Sequence, residues 1–455
     1  MRNTKSTPVL ALLTLQLFIW PAACADEAGE LLLFAEDVGR WITGTMVKTE
    51  SGIAWPDDAL APADVGYDLA SGVSGKVVYF VALYRATGKQ EYLGYAKHGA
   101  DYLISVLRDP AQFDGNERRS SLYAGVAGIG VAMLHVRAET SEAKYATAVE
   151  DVVTLLDEWS TRDDNGVHWS GQFNDLLYGD AGTVLFLAQV AALDGDARIL
   201  EMARQGAHVL MSRAVDDADG RYWLFRRDKD FNLPNFSHGT AGIVYVLATV
   251  GKLTGDDALI RGAKAGFEYV RSIAQVDENR LRIPYGWGSE TWEGLYEFGW
   301  AHGLAGSAAM FERLQQADID ARHANEMLAL ARSTLVDLGL PGTPVEPFAE
   351  PSTALDLRFG RAGVLSLASC WAAQHPDDGK VIELRDALLR HIQSAAIRDV
   401  DTAHWRVDAP AFMGGGRAAY TGLFHGAAGI GLALLNAHAS MVQKAHYADL
   451  PDNPF

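Results

Sequence analysis

The sequence predicts an all-α protein, an α/α toroid of seven helical hairpins, and three observations carry that expectation. A Gly-x-x-Gly signature recurs seven times along the 455 residues. An amphipathic segment with helical spacing precedes every copy. Hydrophobic residues make up 49% of the chain against 21% charged, with no low-complexity tract, so the core is large enough to build a ring.

The signatures, in order, are ASGVSGKVVYFVAL (70–83), YAGVAGIGVAMLH (123–135), YGDAGTVLFLAQV (178–190), SHGTAGIVYVLA (237–248), AHGLAGSAAMF (301–311), RFGRAGVLSLA (358–368) and FHGAAGIGLALL (424–435). Their leading glycines are Gly72, Gly125, Gly179, Gly239, Gly303, Gly360 and Gly426, at intervals of 53, 54, 60, 64, 57 and 66 residues. That regularity marks one structural unit repeated, and closely paired glycines imply that something approaches the backbone.

The segments ahead of them are AGELLLFAEDVGRWITGTMV, EYLGYAKHGADYLISVLRD, AKYATAVEDVVTLLDEW, ILEMARQGAHVLMSRA, ALIRGAKAGFEYVRSIAQ, ANEMLALARSTLVDLG and VIELRDALLRHIQSAAI. Each has one apolar face, whereas each run after Gly-x-x-Gly is apolar all round. A helix apolar on every side is buried, and one with a single apolar face covers something. About fourteen helices in an inner and an outer ring follow, with almost no strand. An open solenoid is the competing architecture, but no distinct polar capping repeat is present at either end. In a closed ring the inner-helix N-termini, with their unpaired N–H groups, face one end. Residues just before each Gly-x-x-Gly then line a single central pocket.

The first 25 residues stand apart. Arg2 and Lys5 form a short basic stretch, VLALLTLQLFIW is an apolar run of signal-peptide length, and Ala23-Cys24-Ala25 offers a cleavage site before Asp26. The run is short for a membrane span. A lipid anchor on Cys24 is disfavoured, because Pro21 stands where a lipobox wants leucine. The expectation is a secreted or periplasmic protein cleaved after Ala25, with residues 26–455 forming one seven-repeat domain, not inserted in a membrane and monomeric. Cleavage removes two basic residues and moves the formal charge from −19 to −21, which repels nucleic acid and anionic lipid. Cys370 is then the sole cysteine, so neither an internal disulfide nor a cysteine-based zinc cluster can form. Within LSLASCWAA it reads as a core residue.

Seven such helix starts, with histidine before the fourth, resemble the lanthionine synthetase C-like family over essentially the whole mature chain. The resemblance implies a seven-fold α/α toroid. It also implies addition of cysteine thiols to dehydrated Ser or Thr residues in peptides, or in some relatives addition of glutathione to dehydroamino acids. DLLYG places Asp175, and SHGTAG places His238, at the positions of the family's acid/base pair. The zinc ligands do not carry over. WAHG puts Ala301 where a cysteine is expected, and RFG puts Arg358 and Phe359 where Cys-His is expected. No metal and no cofactor is therefore expected.

Considered as chemistry, the imidazole of His238 can pass a proton to an enolate. Asp175 can orient a thiol or act as base, although DLASG repeats the same offset at Asp68, as a fold requirement would. Arg358 offers a fixed cation for a substrate carboxylate or thiolate, with an ion pair to Asp356 as the structural alternative. His302 and His425 also precede Gly-x-x-Gly, as substrate contacts or as part of a three-histidine metal site. Glu290, Glu293 and Glu297 lie among aromatics in PYGWGSETWEGLYEFGW, a composition that suits sugar binding. The leading expectation is a zinc-independent thioether-forming enzyme acting on a peptide or small thiol-bearing substrate. Asp175 and His238 would be catalytic, and Arg358, His302, His425 and Glu297 would bind substrate. A carbohydrate-active toroid using Asp175 or Asp180 with Glu297, and a non-catalytic peptide-binding module, are the alternatives.

Overall fold

The fold is that of a computed structural model, which describes residues 22–453 except 231, 278–279, 288–291, 293, 340–353, 409–416, 445 and 449. Residues 1–21, most of the expected signal segment, lie outside the described residues, as do Glu290 and Glu293.

Fourteen α-helices follow one another among the described residues: α1 (Ala22–Gly44), α2 (Val73–Thr87), α3 (Gln90–Leu107), α4 (Val126–Glu139), α5 (Ala143–Glu158), α6 (Asp180–Asp194), α7 (Ala197–Ser212), α8 (Thr240–Thr254), α9 (Asp257–Ile273), α10 (Leu304–Gln316), α11 (Ala321–Gly339), α12 (Arg361–Gln374), α13 (Gly379–Ser394) and α14 (Ala427–Met441). The even-numbered helices form the inner ring. In α2 every residue from Val73 to Leu83 is buried, whereas α3 alternates, burying Tyr92, Leu93, Ala96, Gly99, Ala100, Leu103, Ile104, Val106 and Leu107. Each inner helix meets the next, and α14 returns to α2, so the ring is closed. The fold is an α/α toroid.

One detail differs from the order read along the sequence. Each inner helix packs most closely on the outer helix after it, not the one before it, and α1 packs chiefly on α14. The connections explain this. Inner and outer helices are joined by tight turns such as Gly195-Asp196 and Gly255-Asp256. There a left-handed glycine ends one helix and an Asp side chain caps the next. The N-terminal helix is thus the outer partner of the last inner helix, and the two chain ends lock the ring together.

Among the described residues, the long loops from outer to inner helices carry six two-stranded antiparallel ribbons, where almost no strand was expected. Two of them turn at Asn165-Gly166 and Asp219-Gly220, with φ of 134° and 139° at the glycines, a hairpin signal legible in the sequence. After three ribbons a tryptophan returns to the outer layer. The indole N–H of Trp169, Trp223 and Trp405 donates to the carbonyl of Leu156, Leu210 and Ile392 respectively, tying each ribbon to the end of the helix before it.

The centre is organised by backbone. The residue two before each leading glycine donates its N–H to the carbonyl of its counterpart in the next unit. Ala70 bonds to Tyr123, Tyr123 to Leu177, Leu177 to Ser237, Ser237 to Ala301, Ala301 to Arg358, Arg358 to Phe424, and Phe424 back to Ala70, at 2.8–3.3 Å. Close approach is what the glycines permit. A Cβ on Gly182 would lie 2.1 Å from the Leu176 carbonyl oxygen and 2.7 Å from the Leu122 Cβ of the preceding unit. On Gly429 it would lie 1.7 Å from Leu423 O. The leading glycines have extended, not left-handed, backbone, so steric clearance and not φ demands them.

Below this ring Tyr123, Phe236, Trp300 and Phe424 stack into a floor, with Tyr123–Phe424 ring centroids 4.4 Å apart. Under the floor the C-terminal segment plugs the barrel: Tyr123 donates its hydroxyl to Asp452 Oδ2 at 2.8 Å, and Tyr245 to the Pro451 carbonyl at 3.3 Å. A cavity of about 90 Å³ remains there, lined in part by Cys370.

Three stability predictions follow from this packing. Gly239→Ala would place a Cβ 1.3 Å from Leu233 O, so its urea unfolding free energy should fall by about 4 kcal/mol or more. Gly94→Ala in α3, where a Cβ meets nothing within 4 Å, should instead gain about 0.5–1 kcal/mol. Burial pushes the Asp452 carboxyl up to about 6. A raised carboxyl contributes stability below its unfolded value near 4 and loses it as pH rises through about 6. The isosteric Asp452→Asn should therefore match wild type at pH 4 and exceed it at pH 8 by on the order of 1–3 kcal/mol, read from melting curves at the two pH values.

Candidate active site

Above the ring, the residues immediately before the leading glycines form a crown. Ring centroids run from Tyr178 to His238 at 5.2 Å, His238 to His302 at 5.4 Å, His302 to Phe359 at 5.3 Å and Phe359 to His425 at 5.5 Å. Units one and two contribute only the small residues Ser71 and Ala124 at this position.

Four residues before the leading glycine, a side-chain oxygen caps the turn. Asp68, Asp175, Asn235 and Asp356 each accept, through Oδ1, the N–H three residues on, at 2.7–3.0 Å. The offset shared by Asp68 and Asp175 thus serves the fold. In Asp175 the second oxygen is left over, and Oδ2 lies 2.6 Å from His238 Nδ1. On the other side of that imidazole, Arg358 Nη2 stands 3.0 Å from Nε2. A guanidinium can only donate, so Nε2 accepts, and Nδ1 carries the proton that Asp175 receives. Asp175, His238 and Arg358 are 1%, 6% and 7% exposed, which makes this a chain of charges in a dry setting.

Burial, then Arg358 and Arg118, holds the His238 imidazole well below its ordinary range. Burial pushes the Asp175 carboxyl up to about 7. His302 lies next in the crown, its Nδ1 3.7 Å from Glu297 Oε2, and its buried Nε2 makes no hydrogen bond. Burial, His238 and Arg358 lower its pKa too, while burial pushes Glu297 up to about 7. His425 Nδ1 lies 3.2 Å from Asp356 Oδ2. Arg358 also packs its guanidinium 4.6 Å from the Phe359 ring centroid and 5.4 Å from that of Phe424.

The six residues singled out in the sequence thus lie in one contiguous cluster at one end of the ring, with Asp175 behind His238. The sequence of this chain also matches the profile of the family described as lanthionine synthetase C-like protein over residues 63–342, more than half of its length. The chain belongs to the lanthionine synthetase C-like family. Among solved structures, nisin cyclase is similar with a TM-score of 0.59 at 12% identity, over 94% of this chain and 96% of that one. A sugar epimerase from a ruminal bacterium aligns over 91% and 98% at 12% identity with a TM-score of 0.47. An unsaturated glucuronyl hydrolase specific for heparin aligns over 82% and 98% at 11% identity with a TM-score of 0.46. At these identities the nisin cyclase likeness speaks to the fold alone.

Against the family pattern, the three positions that correspond to zinc ligands carry a methyl group, a guanidinium and a phenyl ring at Ala301, Arg358 and Phe359. None is a metal donor, and the guanidinium brings its own positive charge, so these residues do not fit zinc. The three histidines do not replace them. His238 and His302 are neighbours, but Phe359 separates His302 from His425, and among the described residues no group of three His, Cys, Asp or Glu is arranged to hold a metal.

Several assignments change with the geometry. Asp175 was expected to act as a base toward substrate, yet it is sealed behind His238 with both oxygens engaged. Its place is to orient that imidazole. Arg358 pairs with His238 and not with Asp356. Asp180, a candidate in the sugar-acting reading, is fully buried, ion-paired with Arg213 at 2.6 Å, and accepts the N–H groups of Trp169 and Ser170. It is a structural residue. Cys370 sits beneath the floor, its thiol pushed up to about 12 by burial, away from the crown. Sequence reading passed over Tyr178 and Phe225, which pack on His238, and named Asp356 only as an ion-pair partner for Arg358, although it stands at the same offset before its glycine as Asp175. Arg118, stacked 3.9 Å over Tyr178, was also missed, and no local motif marks it.

If Arg358 holds His238 neutral, Arg358→Gln should raise the imidazole pKa toward its ordinary value near 6.5. A histidine NMR titration of the variant against wild type reads this shift. An unchanged His238 titration would mean that burial alone sets it.

Proposed function

We propose that this chain joins a thiol to a dehydrated serine or threonine residue of a peptide, forming a thioether without zinc, and that it does so outside the cytoplasm as a monomer. One observation carries the reading: carboxylate, imidazole and guanidinium stand in line at 2.6 and 3.0 Å, buried among aromatic rings.

Addition of a thiol to an electron-poor alkene needs a base for the thiol proton, a cation for the charge that develops, and a proton for the α-carbon. His238 suits the first task. When an anionic group of the substrate draws Arg358 aside, Nε2 becomes free to accept the thiol proton, and Asp175 stabilises the imidazolium that results. The S–H bond breaks as the S–Cβ bond forms. The alkene electron pair moves onto the amide oxygen, and the enolate then takes a proton at the α-carbon. Arg358, once drawn aside, supplies a permanent positive charge for a substrate carboxylate or for the thiolate, weaker than a Zn–S bond but strengthened by burial. His302, Glu297 and His425 hold the substrate from the rim.

Export fits the packing. Cleavage after Ala25 leaves the buried face of α1, including Leu31, Phe34, Val38 and Ile42, in place to lock onto α14. N-terminal sequencing of protein recovered outside the cytoplasm should begin at Asp26.

The reaction is tested with a dehydroalanine-containing peptide and a small thiol. His238→Ala should lower kcat by about 10²–10⁴-fold. Arg358→Gln should raise KM for an acidic peptide by about 10–100-fold. Chelator-treated enzyme should keep its rate. Undiminished product from His238→Ala would overturn the proposal, and one zinc per chain together with loss of activity on chelation would overturn its zinc-free form. Binding without turnover in wild type and variant alike would make the protein a peptide-binding module.

A further inference from the structure

The arrangement that holds His238 is built twice. Asp175 stands four residues before the third leading glycine, and His238 directly before the fourth. Asp356 stands four residues before the sixth, and His425 directly before the seventh. In both pairs the aspartate Oδ1 accepts a backbone N–H, from Tyr178 at 2.7 Å or from Phe359 at 2.7 Å. In both, Oδ2 meets the Nδ1 of the histidine one unit on, at 2.6 Å and 3.2 Å. The coincidence is not a general property of the repeat. Asp68 has the same offset, but the next unit presents Ala124, and Asn235 precedes His302 without supplying a carboxylate.

We infer that Asp356 and His425 form a second acid–imidazole pair in the same crown, and that His425 delivers the proton to the α-carbon that completes the addition. This rests on the thiol-addition reading, which leaves that step without an assigned donor. Nδ1 of His425 is tied back to Asp356, and no described residue hydrogen-bonds to its Nε2, so the far side of the ring faces away from its tether with a nitrogen to spare. Arg358 links the two pairs. It reaches His238 Nε2 with its guanidinium, and it also lies over Phe359 and Phe424, the rings that flank His425. A substrate anchored on Arg358 therefore lies between a base and an acid. His238 takes the proton from sulfur as the S–Cβ bond forms, and protonated His425 gives its Nε2 proton to Cα as the enolate collapses. His238 afterwards releases its proton to water and His425 regains one, so thiol and alkene are consumed, a thioether is formed, and no oxidant or reductant enters.

Two catalytic groups acting at separate positions fix the configuration at the new Cα centre, and that is the readout a purely structural role would not move. The dehydroalanine peptide and small thiol are incubated with full-length wild type, His425→Gln, His425→Phe and Asp356→Asn, and the configuration at Cα is read by chiral chromatography. Phenylalanine already occupies this level of the crown at Phe359, and asparagine keeps the Oδ1 acceptor that caps the loop, so both swaps respect the fold. Wild type should give one configuration. The His425 variants should still consume thiol, about 10–100-fold more slowly, and give the two configurations in nearly equal amounts, with Asp356→Asn between them and wild type. Variants that melt like wild type yet keep its rate within two-fold and its single configuration would overturn the assignment alone. A wild type that joins no thiol to the probe would remove the addition reading and this assignment with it.

Discussion

The closed circuit of seven backbone hydrogen bonds at the centre of the ring is the constraint on which the rest of the molecule depends. A buried N–H or C=O left without a partner is costly, and here each unit satisfies its group only through the next. The circuit closes only if seven chain segments approach the axis within hydrogen-bond distance. That in turn excludes a Cβ at the second glycine of every signature, because the preceding unit's side chain and the unit's own carbonyl already fill the space. Glycine is therefore a packing residue in this fold, not a source of flexibility.

Once the circuit is fixed, every position near it has a defined job. Three residues before the leading glycine an apolar side chain packs on the neighbouring unit's glycine, as Leu69 does on Gly128. Two residues before, the backbone closes the ring. One residue before, the side chain joins the crown. Four residues before, where Asp68, Asp175, Asn235 and Asp356 stand, an oxygen caps the turn. Chemistry enters where a unit departs from the neutral choice at its position: histidine in the crown at three units, arginine on the axis at one, aspartate as the capping residue where its second oxygen can reach an imidazole. Asp175 is the clearest case, with Oδ1 committed to the fold and Oδ2 to His238.

The departure from the family's metal-binding residues acquires a physical meaning in the same terms. One positive charge stands next to the imidazole, carried by Arg358 on a long side chain. A guanidinium can swing between His238 and an incoming anion, where a bound ion cannot. Its burial among Phe359 and Phe424 limits competition from water and raises the value of each contact it makes.

Much of this was legible in the sequence, because the information is local and periodic. The seven signatures, the apolar and amphipathic helices and the convergence of Asp175, His238, Arg358, His302, His425 and Glu297 all follow from the Gly-x-x-Gly period and from the positions just before it. Asn165-Gly166 and Asp219-Gly220 announced two ribbons, and the offset of Asp356 announced a second carboxylate, although neither signal stands out without the ring to give it context. The tertiary structure alone decided which groups meet. Arg358 reaches a histidine 120 residues away, α1 closes on α14 at the opposite end of the chain, and Asp180 disappears into an ion pair with Arg213. A repeat pattern states what each unit presents to the axis. The partner it finds there depends on how seven units close, and closure is a property of the whole ring that no stretch of sequence contains.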